Sequence, residues 1–105
     1  MRTLVSLLAP AMLLAQVNVP FERIRDAGKE PGNWLTYSRD YTGNRYSPLD
    51  QIHTGNVERL APKWIFAIPG APRALELTPL VVDGVMYVTS VNEAYALDAR
   101  SGREI

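Results

Sequence analysis

The stretch whose reading decides the fold is Ala96–Ile105, ALDARSGREI, the last ten residues of the 105-residue sequence. Ser101-Gly102 is a turn pair between an alternating run, Glu93–Ala99 (EAYALDA), and a new run that starts near Arg103. Asp98 stands where its carboxylate can accept N–H groups from that turn. Working back toward the amino terminus, Val85–Ser90 (VMYVTS), Leu75–Val82 (LELTPLVV) and Trp64–Ile68 (WIFAI) are short and rich in β-branched or aromatic residues. Pro69, Gly70, Pro72, Asp83, Gly84, Asn92 and Gly102 bound them. Asp83-Gly84 predicts a two-residue hairpin, because a type I′ turn needs positive φ at both central positions. Asn92 serves the next turn. The pattern predicts an antiparallel meander from Leu75 onward, with a fourth strand opening near Arg103.

A four-stranded meander of short strands is the blade of a β-propeller. Blade repeats run to about 40–45 residues, and Trp64 stands about one such repeat before position 106. The expected fold class is therefore all-β, with Ala96–Ile105 in the middle of a repeating unit that continues past Ile105.

Upstream of the strands the texture differs. Pro20 at a first-turn position, Glu22, and Phe21, Ile24 and Ala27 at spacings of three predict a short helix over 20–27, stopped by Gly28. From Asn33 to Trp64 turn formers recur every few residues without sustained periodicity, yet Trp34, Tyr37, Tyr41, Tyr46 and Leu49 carry too much apolar area to leave in water. The segment is expected to pack as an irregular arm on a larger body. The domain organisation expected is a signal peptide at 1–15, an arm at 16–61, and the start of a propeller at 62–105.

Arg2 ahead of the apolar run Leu4–Ala15, broken only by Ser6 and Pro10, is too short to span a bilayer and reads as a secretory signal. Cleavage after Ala15 would place Leu13 where a small residue is preferred, which leaves a neighbouring cut or an uncleaved anchor open; against a buried helix stands Pro10. Export implies a periplasmic location. Eleven basic residues balance eleven acidic ones along the chain, so no basic stripe offers itself to nucleic acid. The chain has no cysteine, which removes disulfides and thiolate zinc sites from this stretch.

Ala96, Asp98, Ser101 and Gly102 resemble the start of the docking motif of quinoprotein propellers, Ala-x-Asp-x-x-Thr-Gly-x-x-x-Trp, with Ser101 in place of Thr and the tryptophan expected at position 106. NWLTYSRDYTGNRYSPLDQI, NVERLAPKW and ELTPLVVDGVMYVTS resemble the amino-terminal region of alcohol dehydrogenases that depend on pyrroloquinoline quinone (PQQ). The resemblance implies an eight-bladed propeller with PQQ near its axis above a Ca²⁺ or lanthanide ion. It also implies oxidation of alcohols, sugars or polyols by hydride transfer to PQQ, and a cytochrome c or quinone as electron acceptor. The metal ligands, the catalytic aspartate and the closing strands are expected beyond Ile105. In that setting Trp64–Ile68 is the outer strand of the closing blade, and the 105 residues alone are expected to be marginally stable, aggregation-prone and inactive.

One family position falls inside the chain. Glu76 matches the glutamate of the innermost strand of the first blade that hydrogen-bonds PQQ. Alternation places Leu75 and Leu77 on one face and Glu76 and Thr78 on the other. By pattern alone, a glutamate at the end of a strand and solvated by water is the other reading. His53 has no second ligand at metal spacing. Asp40 and Asp50, ten apart among turn formers, suit capping of backbone amides rather than an acid/base pair. Arg39 and Arg45 flank Tyr41 and Tyr46 and are expected to pin the arm rather than hold an anion. The alternative function is a non-catalytic propeller scaffold of the same repeat family. Against it stand the absent lipid-anchor cysteine, the dehydrogenase-like Trp34–Ile52 segment, and Glu76.

Overall fold

The computed structural model describes residues 17–70 and 75–105, so the signal-peptide expectation for 1–15 and the Pro72 turn lie outside the described residues. Three strands form one antiparallel sheet in the order β1 (Leu80–Val82), β2 (Val85–Thr89), β3 (Ala94–Asp98). Val82 pairs with Val85 across Asp83 at φ 52° and Gly84 at φ 82°, the two left-handed residues a type I′ hairpin requires. The Ser90 N–H donates to the Glu93 carbonyl at 2.8 Å and closes the second turn over Val91 and Asn92. A fourth strand opens where the sequence placed it. Asp98 N–H donates to the Arg103 carbonyl and Ile105 N–H to the Ala96 carbonyl, both at 2.8 Å, with Leu97 opposite Glu104.

One strand expectation needs correction. The strand expected over 75–82 is regular only at Leu80–Val82. The register explains it: with Leu80 opposite Tyr87, Thr78 falls opposite Thr89, the end of β2, so Leu75 and Glu76 have nothing left to pair with. Trp64–Ile68, expected as the outer strand of a closing blade whose other strands lie beyond Ile105, is extended and has no ladder partner among the described residues. Its side chains still alternate, since Trp64, Phe66 and Ile68 are half-buried while Ile65 is 86% exposed. Phe66 meets Tyr95 edge-on at 5.4 Å between ring centroids. Tyr95, its partner Val88 and Leu97 share that face of the sheet, and Val88 and Leu97 are buried there.

The turn after β3 is held from both sides. Asp98 Oδ1 accepts the Arg100 N–H at 3.0 Å and the Ser101 N–H and hydroxyl at 2.9 Å each. Gly102 follows at φ 70°, and the Trp64 indole lies so close that a Cβ on Gly102 would stand 2.5 Å from the ring. Trp64 Nε1–H donates to the Ala99 carbonyl at 3.2 Å, fixing the ring over the turn.

Hydroxyl and amide donors from Ser101, then the Arg100 amide, hold the Asp98 carboxyl below its ordinary 3.8. A carboxylate with a depressed folded-state pKa stabilises fully above its unfolded value and loses that contribution as the pH falls through the folded one. The stability gap between the natural protein and Asp98→Asn is therefore expected to be widest near neutral pH and to close as the pH drops below 3.8. Urea unfolding at a series of pH values reads this directly. A gap that does not change with pH would assign the turn's stability to geometry alone.

The arm begins with α1 (Phe21–Arg25) and a 3₁₀ turn over Ala27–Lys29. The helix is shorter than the expected 20–27, because Asp26 at φ −96° and ψ 20° leaves helical geometry and hands the chain to the tighter turn, in which Gly28 is an interior residue. Ala27, Leu35 and Val82 form a buried cluster with Val19, Ile24 and Tyr87 packed on it, so arm and sheet share one small core. Trp34 and Val81 exchange backbone hydrogen bonds at 2.8 and 3.0 Å along the outer edge of β1. At the hairpin tip, the Asp83 N–H donates to Asn33 Oδ1 at 2.9 Å, and Arg23 Nη1 donates to Asp83 Oδ2 at 3.0 Å. Arg23 also pairs with Glu30 at 2.8 Å. These pairs are partly exposed and act by fixing position more than by adding stability.

Candidate cofactor-binding cleft

On the face of the sheet that carries Leu80 and Tyr87, the arm and the residues leading into β1 enclose a cleft of about 350 Å³. Tyr37 lines it from the arm, Glu76, Leu77, Thr78 and Leu80 from the segment entering β1, and Tyr87 and Thr89 from β2. That volume lies at the lower end of the range of small-molecule sites, roughly 300–1,000 Å³. The walls are largely apolar and aromatic. A few polar groups converge on them: one carboxylate and the hydroxyls of Thr78 and Thr89.

Glu76 is exposed, lies in the unpaired stretch before β1, and is the charged residue of the lining. Among the described residues it has no hydrogen-bond partner. Thr78 stands beside it, as alternation places it. Leu77 lines the same cleft, which strict alternation does not allow; the segment is irregular there, so the backbone is not held to a two-residue period. Tyr37 was legible in the sequence only as one of several aromatics needing cover. No local pattern aims it at Glu76, because the arm's irregular path brings the two together.

The remaining candidates fall elsewhere. His53 Nδ1 accepts the Gly55 N–H at 3.1 Å within its own turn. Asp40 Oδ1 accepts the Thr42 N–H at 2.9 Å and hydroxyl at 2.6 Å, a local cap of the type expected. Arg39 is buried at φ 76°, pairs with Asp40 at 3.2 Å, and its Nε has no partner among the described residues. Arg45 stands with its guanidinium carbon 4.4 Å from the centroid of the Tyr37 ring, rather than on Tyr41 or Tyr46. A second hollow, about 300 Å³ among Ile52, Asn56, Arg59 and Leu60, contains no carboxylate. No group of three or more His, Cys, Asp or Glu side chains comes together among the described residues.

Comparison with known proteins identifies the family. The family model described as "PQQ: Glucose/ethanol/alcohol dehydrogenase, beta-propeller domain" matches residues 34–105. The chain is 47% identical over 105 residues to the quinohemoprotein alcohol dehydrogenase ADH-IIG of Pseudomonas putida, covering 97% of this chain and 14% of that protein. It is 50% identical over 72 residues to the lanthanide-dependent methanol dehydrogenase of Methylacidiphilum fumariolicum, covering 67% of this chain and 12% of that one. The solved structure of ADHIIG from Pseudomonas putida HK5 superposes with a TM-score of 0.77 at 51% identity, over 85% of this chain and 13% of that chain. The chain thus spans only about one-seventh of the length of these relatives. The meander, the tryptophan-covered turn after β3 and a match running from Trp34 to Ile105 place this chain in the PQQ glucose/ethanol/alcohol dehydrogenase β-propeller family.

Proposed function

We propose that this chain is the amino-terminal part of a periplasmic PQQ-dependent alcohol dehydrogenase that oxidises alcohols, sugars or polyols and passes electrons to a cytochrome c or a quinone. The observation that carries the reading is the cleft lined by Glu76, which has no hydrogen-bond partner among the described residues, together with Thr78, Thr89, Tyr37 and Tyr87. PQQ is a flat fused-ring quinone with a ring N–H and several carboxylates; Glu76 would accept from the N–H, and the hydroxyls of Thr78 and Thr89 would donate to carboxylate oxygens. Bound PQQ would supply the hydride acceptor. Glu76 would hold its orientation, and Leu77 and Leu80 would shield that side of the cleft from water.

The ligands of the Ca²⁺ or lanthanide ion belong, on this reading, to the part of the protein beyond Ile105. The sequence of 1–15 supports export to the periplasm. Exposed Ile65, Val91 and Ile105, 86%, 75% and 65% accessible, are surfaces that neighbouring blades would cover.

The test begins with the reading frame. Codon 106 is expected to encode Trp, and the protein made from the whole frame is expected to reduce an electron-accepting dye when given PQQ, Ca²⁺ or La³⁺, and a primary alcohol. A frame that lacks further repeats, or a protein that stays inactive with both metals and with alcohols, sugars and polyols alike, overturns the proposal.

A further inference from the structure

Asp83-Gly84 is the one place in the sequence where an aspartate or asparagine precedes glycine. Such a pair can react with itself, because glycine has no side chain to hinder the approach of its nitrogen to the neighbouring carboxyl carbon. Among the described residues the Gly84 N–H has no acceptor. Apart from its chain neighbours, no heavy atom lies within 4 Å of where a Cβ on Gly84 would stand. The nucleophile is therefore open.

The carboxyl group it would attack is restrained. Arg23 grips the Asp83 carboxylate with both terminal nitrogens, Nη1 donating to Oδ2 at 3.0 Å and Nη2 to Oδ1. Glu30, 2.8 Å from Nη2, holds the guanidinium in place. Asn33 takes the backbone of the same residue, its Oδ1 accepting the Asp83 N–H at 2.9 Å. A forked guanidinium fixes both carboxylate oxygens at once and keeps Cγ from swinging toward the Gly84 nitrogen. The same donors hold the Asp83 carboxyl below its ordinary 3.8 and so keep it ionised, whereas water departs from the neutral acid.

We propose that Asp83-Gly84 is a site of aspartate isomerisation that the arm restrains through Arg23 and Asn33. The Gly84 nitrogen loses its proton and bonds to Asp83 Cγ, a Cγ–O bond breaks, and one water leaves to give a cyclic imide. Water then opens the ring. Addition at Cγ restores aspartate; addition at the Asp83 carbonyl carbon breaks its bond to the Gly84 nitrogen and leaves the chain running through Cγ as isoaspartate. That product inserts a methylene into a hairpin closed by two residues, so the Val82–Val85 pairing and the anchor of Arg23 are lost together. Isomerisation thereby undocks the arm from the β1–β2 hairpin. None of this depends on what the cleft binds.

The experiment incubates the protein made from the whole reading frame at neutral pH in water labelled with heavy oxygen, then maps its peptides. Either ring opening leaves one labelled oxygen at residue 83, and isoaspartate separates from aspartate by retention time. Arg23→Gln is expected to take up label several-fold faster than the natural protein, with urea-unfolded protein faster still. Arg23→Lys, which keeps the cation and loses the fork, is expected to fall between Arg23→Gln and the natural protein, and it carries the test if Arg23→Gln fails to fold. Asp83→Glu, whose imide would need a larger ring, is expected to stay unlabelled. Equal uptake by the natural protein and the Arg23 variants overturns the restraint. Uptake at residue 83 no faster in unfolded than in folded protein overturns the site.

Discussion

Replacing Gly102 by alanine is expected to cost the protein about 2–5 kcal/mol of folding stability, since among the described glycines it is the one whose added methyl would meet the closest neighbour. Two penalties add. A residue with a Cβ pays about 1–2 kcal/mol to sit in the left-handed region that Gly102 occupies at φ 70°. The new methyl would also stand 2.5 Å from the Trp64 ring, and relieving such an overlap in a packed site costs typically about 1–3 kcal/mol. Urea unfolding of the natural and Gly102→Ala proteins gives the difference. Trp64→Ala made in the Gly102→Ala background is expected to recover the overlap term but not the backbone term, so the two substitutions combine less than additively. Full additivity would mean that ring and turn are not in contact, and the account of this turn as a docking point for Trp64 would fail.

The second large effect concerns function. Glu76→Ala is expected to weaken PQQ binding roughly 10- to 100-fold. A ligand N–H left without its acceptor costs about 1–3 kcal/mol, and 1.4 kcal/mol is tenfold in affinity. Glu76→Gln keeps an acceptor oxygen but loses the charge that roughly doubles the strength of such a bond, so it is expected to fall between the two. Neither change should move the unfolding midpoint noticeably, since Glu76 is exposed and has no partner among the described residues. Equilibrium dialysis reads the first expectation and urea unfolding the second. A lowered midpoint with unchanged PQQ affinity would make Glu76 a structural residue.

Much of the meander was legible because local chemistry wrote it. Asp83-Gly84 demands positive φ at both positions, and both residues adopt it; Asp98 and Ser101 close a turn within four residues of chain. Features that depend on length matched elsewhere in the chain were not legible. The strand expected to start at Leu75 stops short because β2 ends at Thr89, a limit set by the partner and invisible in LELTPLVV itself. Trp64–Ile68 has the alternation of a strand and uses it to cover the sheet with side chains, while its backbone has no ladder partner among the described residues. The same division holds at the cleft. Glu76 was found through a family resemblance, and alternation predicted Thr78 beside it. Tyr37, Tyr87 and Thr89 come to the cleft through the arm's irregular course and the β1–β2 register, which no local pattern encodes.

The arm shows why a segment without periodicity can still have one conformation. Arg23 reaches Glu30 and Asp83, Asn33 caps the hairpin amide, and Trp34 adds a bridge to Val81. Each contact is individually weak, and several end on or beside the β1–β2 hairpin. Residues 60 apart in sequence are thereby brought together, and the Tyr37 side of the cleft is set by the same contacts.

The most direct test of the central claim is a structure of the protein made from the whole reading frame with PQQ bound. The account predicts a Glu76 carboxylate oxygen about 2.7–3.2 Å from a donor atom of the cofactor. PQQ bound elsewhere, with Glu76 hydrated and the cleft beside Tyr37 empty, would contradict it.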